Sequence, residues 1–165
     1  MAETRKHEKI IQVVVARLKD ESYGIPIMQV QEIIKIPDIT HIPNMPDFVE
    51  GVINLRGKIV PILELHKRFN LEVSKKTEDT RIVVVSIENQ LVGLVVDSVS
   101  EVIRLGEDVI DPVPPTISKI GAEYLSGVGK INNRLIILLN IERILTDLEK
   151  NSLKKIDLEK ELTPG

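Results

Sequence analysis

The stretch Pro46-Asp47-Phe48-Val49-Glu50-Gly51-Val52-Ile53-Asn54-Leu55-Arg56-Gly57-Lys58-Ile59-Val60-Pro61-Ile62-Leu63-Glu64-Leu65 reads as strand, tight turn, strand. Gly51 opens an apolar run, Arg56-Gly57 interrupts it, and residues 58–63 resume it before a short helical pattern set by Leu65 and Phe69. A Gly-containing break between two apolar runs is a hairpin signal. The rest of the chain is placed around this hairpin.

Before it, residues 10–18 form an apolar run, Asp20-Glu21-Ser22 a turn, and residues 23–28 a returning strand. Val30, Ile33 and Ile34 predict a short amphipathic turn or a bent strand, and Pro37, Pro43 and Pro46 then cut the chain into extended pieces. After the hairpin, residues 67–79 are polar and read as a helix exit and surface loop. Residues 80–87 and 91–96 form another hairpin, with Glu88-Asn89-Gln90 as its turn.

Comparison of these hairpins exposes an internal repeat. Residues 24–34 align without gaps on 93–103, an offset of 69 that superimposes Gly24 on Gly93, Val30 on Val99 and Glu32 on Glu101. Residues 48–52 align on 124–128 and 59–65 on 135–141, an offset of 76, so the second copy has gained 7 residues around Pro112-Val113-Pro114-Pro115. Two copies of a β unit predict two small, similar barrels with a shared apolar core, in a single domain over 1–165 with repeat units near 8–70 and 80–148. Ile141, Leu145 and Leu148 lie on one helical face, and Leu153, Ile156, Leu158 and Leu162 extend the pattern, which predicts a C-terminal helix near 141–162.

Composition supports a mostly β fold: 24 Ile and 19 Val outnumber 17 Leu, a bias toward β-branched side chains. With no Cys there is no disulfide framework or thiolate chemistry. A net charge of −3 and only two Tyr, two Phe and no Trp leave neither an electrostatic footprint nor a stacking platform for nucleic acid. No apolar run is long enough to span a bilayer and no N-terminal signal is visible, so the expectation is a soluble, cytoplasmic protein that does not insert into the membrane.

Catalytic signatures are missing as well. His7, His41 and His66 lack metal-ligand spacing and read as ordinary surface histidines. Gly121, Gly127 and Gly129 do not make a phosphate loop, and no nucleophile elbow occurs. Glu107-Asp108 and the Asp47, Glu50 pair fall at predicted element ends, where solvated or capping carboxylates are usual. The chain reads as a non-enzyme with no cofactor.

The repeat also serves as an internal control on turn chemistry. The second copy turns through Asn132-Asn133, residues that tolerate positive φ, whereas the first uses Arg56-Gly57. Gly57 answers the backbone requirement, but Arg56 places a permanently charged fork at a loop tip, suited to bidentate contact with a carboxylate. Glu32 is the internal candidate for that carboxylate, and orienting Arg56 for a partner explains the pair better than stability does, since an exposed ion pair contributes about 0.2 to 1 kcal/mol.

Tyr23-Gly24-Ile25-Pro26-Ile27, Val30-Gln31-Glu32-Ile33, Ile42-Pro43-Asn44-Met45-Pro46 and above all residues 51–63, with Asn54-Leu55-Arg56-Gly57 at their centre, resemble the CheW family of chemotaxis coupling proteins. Residues 92–99, Tyr124-Leu125-Ser126-Gly127 and Leu138-Leu139-Asn140-Ile141-Glu142 extend the resemblance over roughly 8–150. It implies two SH3-like five-stranded β-barrel lobes around a shared core, and a non-catalytic adaptor that couples transmembrane chemoreceptors to the histidine kinase CheA. It further implies receptor-tip contacts at Val30, Glu32, Ile33, Arg56, Val84 and Val102, contacts with the kinase regulatory domain at Gly51, Asn54, Gly57 and Gly127, and recruitment to membrane-bound receptor arrays.

Overall fold

The computed structural model describes residues 9–114, 121–146, 149, 150 and 153. Among them eleven strands follow in chain order: β1 (Ile10–Leu18), β2 (Glu21–Pro26), β3 (Val30–Lys35), β4 (Val49–Leu55), β5 (Lys58–Glu64), β6 (Arg81–Ile87), β7 (Gln90–Val96), β8 (Ser98–Gly106), β9 (Ile110–Asp111), β10 (Leu125–Ile131) and β11 (Arg134–Leu139). They make a five-stranded sheet of order β3-β6-β7-β5-β4 and a six-stranded sheet of order β8-β1-β2-β11-β10-β9. The mostly β, two-lobed expectation holds, with β9 a two-residue addition to the second lobe.

The repeat is reproduced in the pairing register. Ile62 of β5 lies opposite Gly93 of β7 and Gly51 of β4, and Leu138 of β11 lies opposite Gly24 of β2 and Gly127 of β10. Glu32 opposes Val84 just as Glu101 opposes Val15, with a bulge at the same place in each edge strand.

The lobe boundaries near 8–70 and 80–148 require correction, because each repeat lends its first hairpin to the other repeat's sheet. The first lobe is the continuous segment β3 to β7, while β1 and β2 join β8 to β11. Only Asp97 separates β7 from β8, and one residue is too short for a hairpin. The chain therefore bends into the second sheet, where the Asp97 N–H donates to the Arg17 carbonyl.

The exchanged hairpins are apolar on both faces. Val13 and Val15 pack with Leu105, Ile136 and Leu138 inside the second barrel, and Ile82 and Val84 pack with Ile53, Val60 and Ile62 inside the first. Their neighbours Ala16, Leu18, Val83 and Val85 turn the other way, into a cluster shared by both lobes that also takes Tyr23, Ile25, Leu63 and Leu94.

A predicted C-terminal helix over 141–162 is not evident as a continuous element: beyond 143 only Glu149, Lys150 and Leu153 are helical among the described residues. Ile141–Arg143 forms a 3-10 turn, and most later positions lie outside the described residues. Thr146 and Glu149 bond reciprocally through side chain and backbone, which holds the Glu149 carboxylate toward Arg68. Arg68, at the end of the one-turn helix Leu65–Arg68, meets that carboxylate at 2.8 and 3.2 Å, donates to the Ile144 carbonyl at 2.6 Å, and lies over the Phe48 and Tyr124 rings at 4.5 and 5.2 Å. Phe48 precedes β4 and Tyr124 precedes β10, so one guanidinium ties the two lobes together.

Gly51 has a structural reason to be glycine. At φ +152°, a Cβ there would sit 2.1 Å from the Thr40 carbonyl oxygen, since Thr40 and Val52 exchange two backbone hydrogen bonds across β4. Gly57, at φ +87°, has open space around it. Gly51→Ala is therefore expected to lower the unfolding free energy by about 2 to 3 kcal/mol through overpacking, and Gly57→Ala by only about 1 kcal/mol from backbone conformation. Urea denaturation of the two variants tests this; equal losses refute it.

Candidate functional site

The β4–β5 turn places both of its central residues at positive φ, Arg56 at 50° and Gly57 at 87°. Its counterpart in the repeat does the same with Asn132 at 47° and Asn133 at 63°. Asparagine and glycine accept this conformation readily, whereas a long side chain such as Arg loses roughly 1 kcal/mol or more. The Asn54 Oδ1 accepts from the Gly57 N–H at 2.8 Å and braces the turn from within. Arg56 is thus held at a strained tip by a frame that would suit another residue better.

The strained side chain is 74% exposed and paired with Glu32. Because β3 and β4 are the two edges of the five-stranded sheet, this ion pair fastens one edge to the hairpin at the other across the seam of the barrel. The bulge between Val30 and Glu32 sets the faces. Glu32 falls opposite Val84 on the barrel-interior side, while Val30 and Ile33 fall opposite Val85 and Val83 on the side of the shared cluster. Val30 packs on that cluster and Ile33 stays 39% exposed at its rim. On the other lobe Val102, opposite Val14, is 51% exposed in the equivalent position.

The structure brings Val30, Glu32, Ile33 and Arg56 onto one lobe and sets Val102 on the matching face of the other. Val84 is a correction: it is fully buried in the first barrel, beneath Glu32, and has no surface to offer a receptor. Gly51 and Gly127 are corrections of the same kind. Both are buried, Gly51 under Thr40 and Gly127 under Ile110 and Asp111 of β9, so neither presents a surface to a kinase. Asn54 and Gly57 are exposed at the hairpin tip.

Two features escaped sequence reasoning. One is an ion pair on the second lobe, Arg134 Nη1 to Glu101 Oε1 at 2.7 Å, whose carboxylate was signalled by the coincidence of Glu32 and Glu101 in the repeat. The other is His66, which is buried rather than on the surface. Its Nδ1 lies 2.5 Å from Glu64 Oε1 and its Nε2 lies 3.0 Å from Asp97 Oδ1. Asp97 also accepts from the Lys19 N–H at 2.7 Å and the Ser74 hydroxyl at 3.1 Å. Among the described residues no group of three or more His, Asp or Glu side chains is arranged to hold a metal ion, and no helix is long and apolar enough to cross a membrane.

Residues 12–149 match the family model described as CheW-like domain. The chain is 39% identical over 139 residues to the chemotaxis protein CheW of Helicobacter pylori, covering 84% of each chain. It is 42% identical over 132 residues to the chemotaxis protein CheW of Klebsiella aerogenes, covering 80% of each. Among solved structures it resembles that of the scaffolding protein TtCheW from Thermoanaerobacter tengcongensis, with a TM-score of 0.78 and 39% identity over 87% of this chain and 92% of that one.

The His66 cluster sets a pH dependence. Burial alone would push the imidazole pKa down, but the Glu64 and Asp97 carboxylates outweigh it and raise the pKa above the ordinary 6.5. The native state then keeps a proton that the unfolded chain has released, so this contribution to stability is full below about pH 6.5 and is lost as pH rises through the folded value. Urea midpoints are expected to fall between pH 6 and 9 in the wild type and to fall less in His66→Gln. The same slope in both proteins refutes the assignment.

Proposed function

The chain belongs to the CheW-like domain family, and from that premise we propose that it couples the cytoplasmic tips of transmembrane chemoreceptors to the regulatory domain of the histidine kinase CheA. Its part is that of a non-catalytic scaffold of the chemotaxis apparatus. The observation that carries the reading is Arg56: an exposed guanidinium kept at a strained turn position and oriented by Glu32. Asparagine suits this position at lower backbone cost, as at Asn132 in the second copy, and since Lys19 and Glu88 also sit at positive φ the reading rests on the exposed guanidinium and its Glu32 partner rather than on the strain alone.

In this role the receptor tip contacts Val30, Glu32, Ile33 and Arg56 on one lobe and Val102 on the other. The kinase domain, built on the same two-barrel plan, meets the exposed hairpin tip at Asn54 and Gly57, with Gly51 and Gly127 shaping the barrels from beneath. Recruitment to receptor arrays follows from these contacts. Signalling is geometric, since a receptor rearrangement alters kinase output only through contacts that differ between its active and inactive arrangements. Many interfaces near or below about 1,200 Å² joined in an array compensate for modest pairwise affinity through effective concentration.

The turn strain supplies a discriminating test. Arg56→Asn relieves roughly 1 kcal/mol of backbone cost and gives up an exposed ion pair of about 0.2 to 1 kcal/mol, so stability stays near wild type while coupling is weakened. Arg56→Glu leaves the fold intact and weakens coupling further. The measurements are co-elution with a soluble receptor cytoplasmic fragment and the kinase regulatory domain, and receptor-dependent kinase stimulation. Equal recovery and equal stimulation by wild type and both variants would sink the role of Arg56. Glu32→Lys is expected to show a related defect, and its combination with Arg56→Glu to cost less than the sum by at least about 0.5 kcal/mol in binding.

A further inference from the structure

The contact between His66 and Asp97 crosses the joint between the lobes. His66 belongs to the one-turn helix that follows β5 of the first lobe and is 1% exposed. Asp97, the single residue between β7 and β8, is fastened to the second lobe: its N–H donates to the Arg17 carbonyl at 2.9 Å, and its Oδ2 accepts from the Lys19 N–H at 2.7 Å. Its other oxygen, Oδ1, lies 3.0 Å from His66 Nε2.

Hydrogen-bonding capacity sets the charge that this arrangement requires. Each ring nitrogen faces a carboxylate oxygen, Nδ1 at 2.5 Å from Glu64 Oε1 and Nε2 at 3.0 Å from Asp97 Oδ1. An ionised carboxylate only accepts, and a neutral imidazole carries one N–H, so both contacts are favourable together only when the ring is an imidazolium. Neighbouring charges are engaged elsewhere. Lys67 and Arg68 of the same turn reach Asp47 at 3.8 Å and Glu149 at 2.8 Å, and Lys76 of the following loop reaches Glu50 at 2.9 Å. Glu72 and Lys75 of that loop are exposed, and Arg17 and Lys19 meet Asp97 through backbone groups. Among the described residues, Glu64 and Asp97 are thus the charged side chains that face the ring.

The two contacts are unequal. Glu64 is local in sequence, also accepts from the His66 backbone N–H at 3.0 Å, and makes the shorter ring contact. Nε2 approaches Asp97 without the alignment of a hydrogen bond. Loss of one proton therefore leaves Nδ1–H on Glu64 and turns the bare Nε2 lone pair toward the Asp97 carboxylate, an unfavourable contact in a buried place. Burial opposes the charge on the ring, but Glu64 and Asp97 outweigh it, so the proton is lost on the alkaline side of pH 6.5.

We propose that the His66–Asp97 contact is a protonation-gated latch between the lobes: the imidazolium locks the helical turn onto the joint, and the neutral ring releases it. Once released, the turn stays tied through Arg68 to Glu149, and the loop after it through the Ser74 hydroxyl to Asp97, so it pivots rather than detaches. The aliphatic cluster shared by the lobes is non-directional, so release widens the range of inter-lobe angles without opening the core.

The test uses the full chain. Long-range 1H–15N NMR of the His66 ring between about pH 6 and 9 is expected to show both nitrogens protonated at the acid end, and Nε2 deprotonated with Nδ1 still protonated at the alkaline end. Since the chain has no Cys, spin labels can be placed on Lys58→Cys in the first lobe and Arg104→Cys in the second, both exposed positions. The spread of inter-label distances is expected to widen over the same pH range, and to stay constant when His66→Gln is added, because an amide keeps its N–H donors throughout. A ring that stays charged to the alkaline end, or that keeps its proton on Nε2, overturns the latch without recourse to a variant. An unchanged spread in the His66 background, or equal widening with Gln, overturns it as well. Stability that falls with pH while Nε2 keeps its proton leaves the pH-dependent stability standing and removes the latch.

Discussion

Everything in this fold depends on four strands that are buried on both faces. Along β1, Val13 and Val15 fill one barrel while Ala16 and Leu18 fill the shared core; along β6, Ile82 and Val84 fill the other barrel while Val83 and Val85 fill the same shared core. A strand of this kind cannot sit at a surface, and a hairpin made of two of them needs a sheet on its edge and a layer over each side. Reciprocal exchange satisfies the requirement: each repeat's first hairpin is an internal part of the other repeat's sheet. Neither repeat can complete its barrel alone, so the lobes are one cooperative body rather than two modules on a linker.

The same burial explains what could be read from the sequence and what could not. Hairpins, turns and the repeat were legible because they rest on local signals: apolar runs, turn residues such as Asn132-Asn133, and glycines recurring at Gly24 and Gly93 where an Ile or Leu side chain crosses the neighbouring strand. Strand partnership was not, because an alignment offset shows which strands are alike and not which ones touch. The direction of Val84 was equally opaque. Val83, Val84 and Val85 are identical residues on alternating faces, and a shift of one residue moves a side chain from the shared core to the barrel interior. The bulge between Val30 and Glu32 further breaks the alternation by which the face of Ile33 could have been inferred. Gly51 looked like part of a surface hairpin because the residue that covers it, Thr40, lies in a proline-rich segment with no pattern of its own. His66 was misread since its second carboxylate partner, Asp97, is remote in sequence.

An aliphatic core gives cohesion between the lobes but little directionality, because hydrophobic burial is insensitive to small sliding. Polar contacts at the lobe boundary supply the direction. Asp97 is the single residue between β7 of the first lobe and β8 of the second, and its carboxylate reaches the Lys19 backbone, the Ser74 hydroxyl and His66. On the opposite flank of the one-turn helix Leu65–Arg68, Arg68 is layered between rings from both lobes and held by Glu149 and the Ile144 carbonyl. His66 and Arg68 come from the same turn, so that turn is pinned to the second lobe from two directions. Part-buried, charge-assisted bonds of this geometry are worth more than surface pairs and fix an angle as well as a distance.

These two classes of interaction differ enough in strength to say how a scaffold of this build transmits a signal in the proposed role. Moving the lobes apart would expose the shared cluster, at roughly 1.5 to 3 kcal/mol for each large aliphatic side chain returned to water, and would also break the Asp97 and Arg68 ties. Opening the Arg56–Glu32 seam costs only about 0.2 to 1 kcal/mol. A partner that competes for the guanidinium therefore redirects one side chain and leaves the inter-lobe angle alone. A bound receptor would then reposition the scaffold as a rigid body, and the energy available to bias the kinase is set by the difference between contacts made in its two arrangements. In the proposed role, stiffness between the lobes, built from two-faced strands and polar ties, would let a weak and adaptable contact at one hairpin tip act on a partner held elsewhere on the same surface.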